Sequence, residues 1–128
     1  MRISMVTEIT MDDLVKGLPT PDNDLRIIMF YGSTCGPCKA TMPNYESAAS
    51  FFLSKGARIQ CFKLNAWEPA EQADYCRNVL GINGVPHFKV FCRGEQILEK
   101  AGGGDDHAMK KFLQSAVEEA FKRYGERI

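Results

Sequence analysis

Residues 33 to 43 read Ser-Thr-Cys-Gly-Pro-Cys-Lys-Ala-Thr-Met-Pro, so that Cys35 and Cys38 enclose Gly36 and Pro37. Such a pair serves reversible disulfide exchange, metal ligation, or plain packing as two small buried side chains. The run ahead of it, Leu-Arg-Ile-Ile-Met-Phe-Tyr, is apolar and strand-forming and holds no carboxylate, and the run behind it has helical spacing. Cys35 thereby falls at a helix start, where unpaired first-turn amides and the helix dipole create positive potential. A thiolate is favoured in that place, so its pKa is expected to drop toward neutrality. Cys38 stands one turn on, within bonding reach, and Gly36 and Pro37 permit and stiffen the turn between them. The expected chemistry is attack by Cys35 on a substrate disulfide, followed by displacement of the reduced substrate by Cys38. A strand before the pair and a helix after it favour this over two merely buried cysteines.

The other cysteines, Cys61, Cys76 and Cys92, form no second close pair, and His87 and His107 stand far apart. Neither a zinc site nor a structural disulfide framework is expected from that spacing. Cys61 and Cys92 lie in strand-like runs and read as small core residues; Cys76, on a helix, reads as partly exposed, with a regulatory thiol as the alternative. A formal net charge of zero gives no basic excess for nucleic acid. No apolar run is long enough to span a bilayer. The opening residues Met-Arg-Ile-Ser-Met carry no apolar signal core, so a cytoplasmic chain is expected. A length of 128 residues suits one domain over 1–128.

Stepping outward from the pair, the first strand covers residues 4–10, and Thr10 caps a helix over 11–18 with Asp13 completing a capping box. A loop over 19–24 leads to a buried strand over 25–31. The long helix runs from Cys35 to Lys55, with Met42, Tyr45, Ala49, Phe52 and Leu53 at helical spacing, a kink expected at Pro43 and a stop at Gly56. A strand over 57–65 precedes a helix over 68–81, with Pro69 near its first turn. A strand over 85–92, a tight Arg93-Gly94 turn and a strand over 95–101 make a hairpin. Residues 102–106 break the chain as a hinge-like cap, and the last helix carries Met109, Phe112, Leu113, Ala116, Val117, Ala120, Phe121 and Tyr124 as an apolar stripe. The β-α-β-α-β-α-β-β-α order predicts an α/β fold: a mixed central sheet flanked by helices on both faces, parallel wherever a helix links two strands.

Taken together, residues 30–43, the Lys63-Leu64-Asn65 triplet and the Gly81–Glu95 stretch resemble the thioredoxin family over roughly residues 3 to 122. The resemblance implies a thioredoxin fold and a cytoplasmic protein-disulfide reductase, with Cys35 as nucleophile and Cys38 as resolving thiol. Lys39 follows the pair as in the family's active-site pattern, and Pro43 matches its helix-kinking proline. Pro86 matches its cis-proline, which would leave the Val85 backbone facing a substrate chain that adds as a short strand. Thr34, Gly36, Pro37, Val85, Pro86 and Gly102 form the implied substrate platform. Lys63 matches a lysine near the site. No metal or organic cofactor is implied; the implied partners are protein disulfides and a thioredoxin reductase, and the implied state is a monomer without membrane attachment.

Three positions depart from the family. Thr34 replaces a tryptophan before the first cysteine. Trp67, the sole tryptophan, replaces an acidic residue. Met29 replaces a buried aspartate thought to help deprotonate the second cysteine. Trp67 reads either as the lost indole moved to the other wall of the site or as a cap on the core edge. His87 reads either as a packed strand histidine or as a proton acceptor in place of the missing carboxylate. The competing reading of the whole is a binding module or assembly subunit that uses the surface around the motif. Retention of both thiols speaks for exchange.

Overall fold

A computed structural model describes residues 5–18 and 20–125; Ser4 of the expected first strand and Pro19 of the expected loop lie outside them. The order is β1 (Val6–Glu8), α1 (Met11–Lys16), β2 (Leu25–Tyr31), α2 (Gly36–Ser54), β3 (Ile59–Asn65), α3 (Ala70–Asn78), β4 (His87–Cys92), β5 (Glu95–Ala101) and α4 (Asp106–Tyr124). The strands form one mixed sheet in the order β1-β3-β2-β4-β5.

β2 lies at the centre because its side chains are apolar on both faces. Ile27 and Met29 point into a cluster with Tyr45, Ala48, Ala49 and Phe52 of α2 and Met109, Phe112, Leu113, Ala116 and Ala120 of α4. Ile28 and Phe30 point the other way, against Phe62, Leu64, Cys76 and Ile82, with Leu14 of α1 at the margin. Period-2 alternation thus divides one continuous apolar run between two cores. Tyr45 is fully buried, and its hydroxyl lies 3.0 Å from the carbonyls of both Ile27 and Phe62. That contact ties α2 to β2 and β3 at once.

Local signals act where the residue types place them. The Thr10 hydroxyl accepts from the Asp13 amide and the Asp13 carboxylate accepts from the Thr10 amide, a closed capping box. Arg93 and Gly94 have φ of 54° and 76°, so a two-residue turn with both centres left-handed joins β4 to β5.

Four expectations need correction. β4 pairs antiparallel to β2, although a helix precedes it. β3 already has β1 and β2 on its sides, so β4 adds to the free edge of β2. The loop after α3 delivers the chain to the end of β2 at which β3 also finishes, and not back to its start. The chain therefore re-enters beside the far end of β2, with Phe30 opposite His87, and runs back. α3 ends at Asn78, and the Ile82 amide reaches back to the Cys76 carbonyl over the turn that contains Gly81. Cys76 is buried, because it faces Phe62 and Ile82 rather than solvent. Phe121 is exposed; it lies on the flank of the 109–113–116–120 stripe, past the edge of what the sheet covers. Tyr124 instead donates to the Cys92 carbonyl at 3.1 Å and stacks under the Arg93 guanidinium.

Candidate functional site

Cys35 is the N-cap of α2, one residue ahead of its first helical turn, and is joined to Cys38 by a disulfide with a Cα–Cα distance of 5.3 Å. The Cys38 amide donates to Cys35 Sγ at 3.1 Å, and the Lys39 amide to the Cys35 carbonyl at 3.2 Å. A first-turn amide aimed at sulfur stabilises negative charge there once the disulfide opens. Both cysteines are buried, while Thr34, Gly36, Pro37 and Lys39 around them are exposed. A substrate therefore meets the pair through a narrow rim. Pro43 lies inside α2, which continues through it to Ser54.

The Val85–Pro86 peptide is cis. The Val85 carbonyl oxygen stands 3.8 Å from Cys35 Sγ, and the Pro86 carbonyl accepts from the Gly102 amide at 2.9 Å. Val85, Pro86, His87, Ala101 and Gly102 line an open groove of about 390 Å³. Its far side is held by the glycine run after β5. Thr41 Oγ1 accepts from the Gly104 amide at 3.2 Å, Asn44 donates to the Gly104 carbonyl at 3.0 Å, and Lys100 donates to the Gly103 carbonyl at 2.9 Å. A Cβ on Gly103 would overlap Thr41 and stand 3.2 Å from the Pro86 ring. Glycine is required there by close approach. The hinge-like break expected here is pinned to α2, and the expected helix cap is present, with Asp105 capping α4 by accepting from the Ala108 amide.

Trp67 stands at the same end of the sheet. Its indole lies flat against Gly32, so that a Cβ there would collide with the ring. Gly32 opens the turn into the pair, and its carbonyl accepts from the Cys35 amide at 3.3 Å. The side chain of Asn65 accepts from the amides of Trp67 and Glu68, at 2.9 and 3.2 Å, and the Ala66 amide donates to the Tyr31 carbonyl at 2.7 Å. Buried Gln72 donates to the Asn65 carbonyl and accepts from the Met11 amide. The Trp67 loop also contains a cis peptide, Glu68–Pro69, and Pro69 is the N-cap of α3.

The electrostatic positions separate. Met29 is fully buried in the same cluster as Cys38 and opposite Lys63 across the β2–β3 ladder. Lys63 Nζ sits 6.0 Å from the Tyr31 ring centre, and the Tyr31 hydroxyl donates to Glu8 at 2.6 Å. Burial, then that carboxylate, drives the Tyr31 hydroxyl pKa well up. His87 faces the opposite side of the sheet from Met29 and contacts Glu99 at 2.8 Å, with Lys89 3.4 Å from the same oxygen. The His87 contact, then Lys89, holds the Glu99 carboxyl below its ordinary value. The proton-acceptor reading of His87 fails on this placement, because the sheet lies between it and the Met29 side. Burial pushes the Cys61 thiol up to about 12 and the Cys76 thiol up to about 11. Among the described residues no group of three His, Cys, Asp or Glu could hold a metal ion, and no helix is long and apolar enough to cross a membrane.

The structure thus brings Cys35, Cys38, Val85, Pro86, Gly102 and the Trp67 indole to one end of the sheet, and turns Lys63 and His87 toward other partners. Sequence reasoning missed Gly32, Thr41, Gly103, Asn65 and Gln72. Gly32, Thr41, Gly103 and Gln72 act through long-range contacts that no local pattern announces, whereas the Asn65 side chain makes a local turn with the next amides; the glycines carried a trace, as places where a backbone or a ring can approach closely.

Residues 5–115 match the family model for thioredoxin. The chain is 39% identical over 82 residues to a protein disulfide-isomerase of Arthroderma benhamiae and 36% identical over 70 residues to that of Gallus gallus. These matches take in 64% and 55% of this chain and span only 14% and 13% of those relatives' lengths. Among solved structures it is similar to thioredoxin F of spinach chloroplast, at TM-score 0.70 and 24% identity over 89% of this chain and 85% of that one. It is similar also to the Malassezia sympodialis thioredoxin, at TM-score 0.68 and 22% identity over 94% and 95%. Those two likenesses establish the fold, and the family model, spanning most of the chain, establishes descent: this chain belongs to the thioredoxin family.

Proposed function

We propose that the chain is a protein-disulfide reductase acting through the Cys35–Cys38 pair. The observation that carries the reading is the Cys35–Cys38 disulfide at the N-cap of α2, with the Cys38 amide on Cys35 Sγ and an open groove beside Val85. In the reduced state the Cys35 thiolate attacks one sulfur of a substrate disulfide. The substrate S–S bond breaks, a mixed disulfide forms, and the leaving substrate sulfur takes a proton. Cys38 then loses its proton and attacks Cys35 Sγ. The mixed disulfide breaks, the second substrate thiol leaves protonated, and the pair is again a disulfide. Two electrons pass from the pair to the substrate; of the two protons the substrate thiols take up, one comes from Cys38 and one from solvent, replacing the proton Cys35 had already released. A dithiol donor reverses the cycle, and we assign that part to a thioredoxin reductase. Thr34, Gly36, Pro37, Val85, Pro86 and Gly102 serve as the substrate platform. The reading further places the chain in the cytoplasm as a monomer without an organic cofactor, in keeping with three buried cysteines outside any disulfide.

Reduction of insulin disulfides with dithiothreitol tests the reading. Cys35→Ser is expected to abolish turnover, and Cys38→Ser to accumulate mixed disulfides, because attack survives and resolution fails. Most of the activity surviving in Cys35→Ser would overturn the mechanism, and no activity in the unaltered protein would leave the binding-module reading. The protein disulfide-isomerases among the relatives favour a second reading, rearrangement of mispaired disulfides. A mispaired protein substrate decides between them: an isomerase restores native pairing without net reductant, whereas a reductase only opens the bonds.

A further inference from the structure

α2 and α4 lie side by side and run in the same direction. Asn44 of α2 bonds the Gly104 carbonyl just ahead of α4, and Lys110, further along α4, lies over the ring of Phe51, further along α2. Past that contact the two helices border an open groove of about 560 Å³, lined by Phe52, Lys55, Gly56, Arg58, Gln114 and Val117. Its lining mixes polar and apolar surface and includes two cations and no carboxylate. An exposed phenylalanine marks each end. Phe51 precedes Lys55 by one turn of α2, and Phe121 follows Lys110, Gln114 and Val117 along one stripe of α4. The Lys55 and Lys110 ammonium groups stand 4.8 and 4.9 Å from the centre of the Phe51 ring, so cationic heads and apolar surface are interleaved. Lys110 also bonds Asp106 at 2.9 Å, so the positive charge of the groove rests chiefly with Lys55 and Arg58. The end of α2 does not oppose them with open carbonyls: those of Phe52 and Leu53 accept from the amides of Lys55, Gly56 and Ala57.

We infer that this groove docks an acidic polypeptide segment bearing apolar side chains, on a partner that binds there without covering the cysteine pair. The inference does not depend on the disulfide-exchange reading, since docking moves no electrons. The charge of the lining selects an acidic partner. The exposed phenylalanine rings and Val117 offer it apolar seats. The nineteen residues of α2 put about 28 Å between Cys35 and this end of the helix, so a docked partner leaves the pair open. Anchorage at that distance would hold the rest of the partner near the pair at a raised effective concentration. Nucleic acid fits the groove less well, because a base would stack where the lysines lie over Phe51, and the chain has no basic excess. An anionic membrane surface calls for a denser basic cluster than this lining provides.

The test is fluorescence anisotropy of a labelled short peptide that alternates Glu with Leu and Phe, titrated with the unaltered oxidised protein. It is expected to bind about fivefold more tightly than the same peptide with Ser in place of Leu and Phe, and binding is expected to vanish when Lys replaces Glu. Lys55→Glu with Arg58→Glu is expected to weaken binding about tenfold, and Phe121→Ser about fivefold. Lys16→Glu, on α1 and across the sheet from α2 and α4, shifts the net charge in the same sense and is expected to leave binding unchanged. Should the double reversal disturb the fold, Lys55→Gln gives a smaller loss in the same direction. No binding by the unaltered protein, equal binding of the Ser-containing peptide, or an equal loss in Lys16→Glu would overturn the inference. So would tighter binding of a single-stranded oligonucleotide, or of vesicles of phosphatidylserine and phosphatidylcholine, than of the acidic peptide.

Discussion

At the scale of single residues, the site joins a family pattern to substitutions with chemical consequences. Met29 lies in the same buried cluster as Cys38 and cannot accept a proton. Cys38 must lose its proton before it attacks Cys35, so that step is expected to be slow near neutrality and to recover as pH rises toward ordinary thiol pKa values. The lifetime of the mixed disulfide grows accordingly, which gives a bound substrate time to rearrange its own disulfides. Met29→Asp should therefore speed the decay of the mixed disulfide at pH 7, and the gain should vanish by about pH 9, where a free thiol ionises unaided. Stopped-flow following of that decay from about pH 6 to pH 9 checks it. Equal decay rates for the two proteins at pH 7 would show that proton removal from Cys38 does not limit the cycle. The substitution buries a carboxylate, so some loss of stability accompanies the gain in rate.

At the scale of elements, the site is a junction of the β2–α2 turn, the loop before β4 and the β5–α4 connection. The last of these is held against α2 by Thr41 and Asn44, and Gly103 fits only because it has no Cβ. Gly103→Ala is expected to force Thr41 and Pro86 apart, costing about 1–3 kcal/mol, the usual range for overpacking. Because Pro86 belongs to the groove, KM for protein disulfides should rise together with that loss. Urea unfolding and steady-state kinetics on the same preparation check both halves. A stability loss with KM unchanged would confine Gly103 to a structural role. The hydroxyl of Thr41 contributes through the Gly104 amide, and its removal would leave that donor unpaired.

At the scale of the whole molecule, the sheet separates two apolar cores, and the three cysteines outside the pair are buried within them. Burial raises the Cys61 and Cys76 thiols to about 12 and about 11. In the unfolded chain such thiols ionise near pH 8.5. The folded state therefore binds more protons than the unfolded state above that pH, and stability must fall as pH rises from about 8.5 toward those folded values. Below about pH 8.5 both states hold neutral thiols and the effect disappears. Denaturant midpoints measured from pH 7 to pH 11 should show this decline, and Cys61→Ala with Cys76→Ala should flatten it. By the same burial, brief iodoacetamide treatment of the reduced protein at pH 8 is expected to label Cys35 and leave Cys61, Cys76 and Cys92 unmodified, as read by mass spectrometry.

Much of this was legible in the chain itself, because it rests on local rules. The capping box at Thr10, the Arg93-Gly94 turn, the apolar run of β2 and the cysteine pair at a helix start all depend on residues within a few positions of one another. The direction of β4 did not, since it is decided by which sheet edge was free and by the end of β2 at which the chain re-enters. Nor did the burial of Cys76, the partner of His87 or the close approach of Gly103 to Thr41. Those depend on residues brought together from distant parts of the chain. The choice between the two readings of Trp67 was of this kind. Its residue type marked it as unusual, and only the tertiary structure placed its ring on Gly32, because a contact between positions 32 and 67 exists only once β2 and β3 lie side by side.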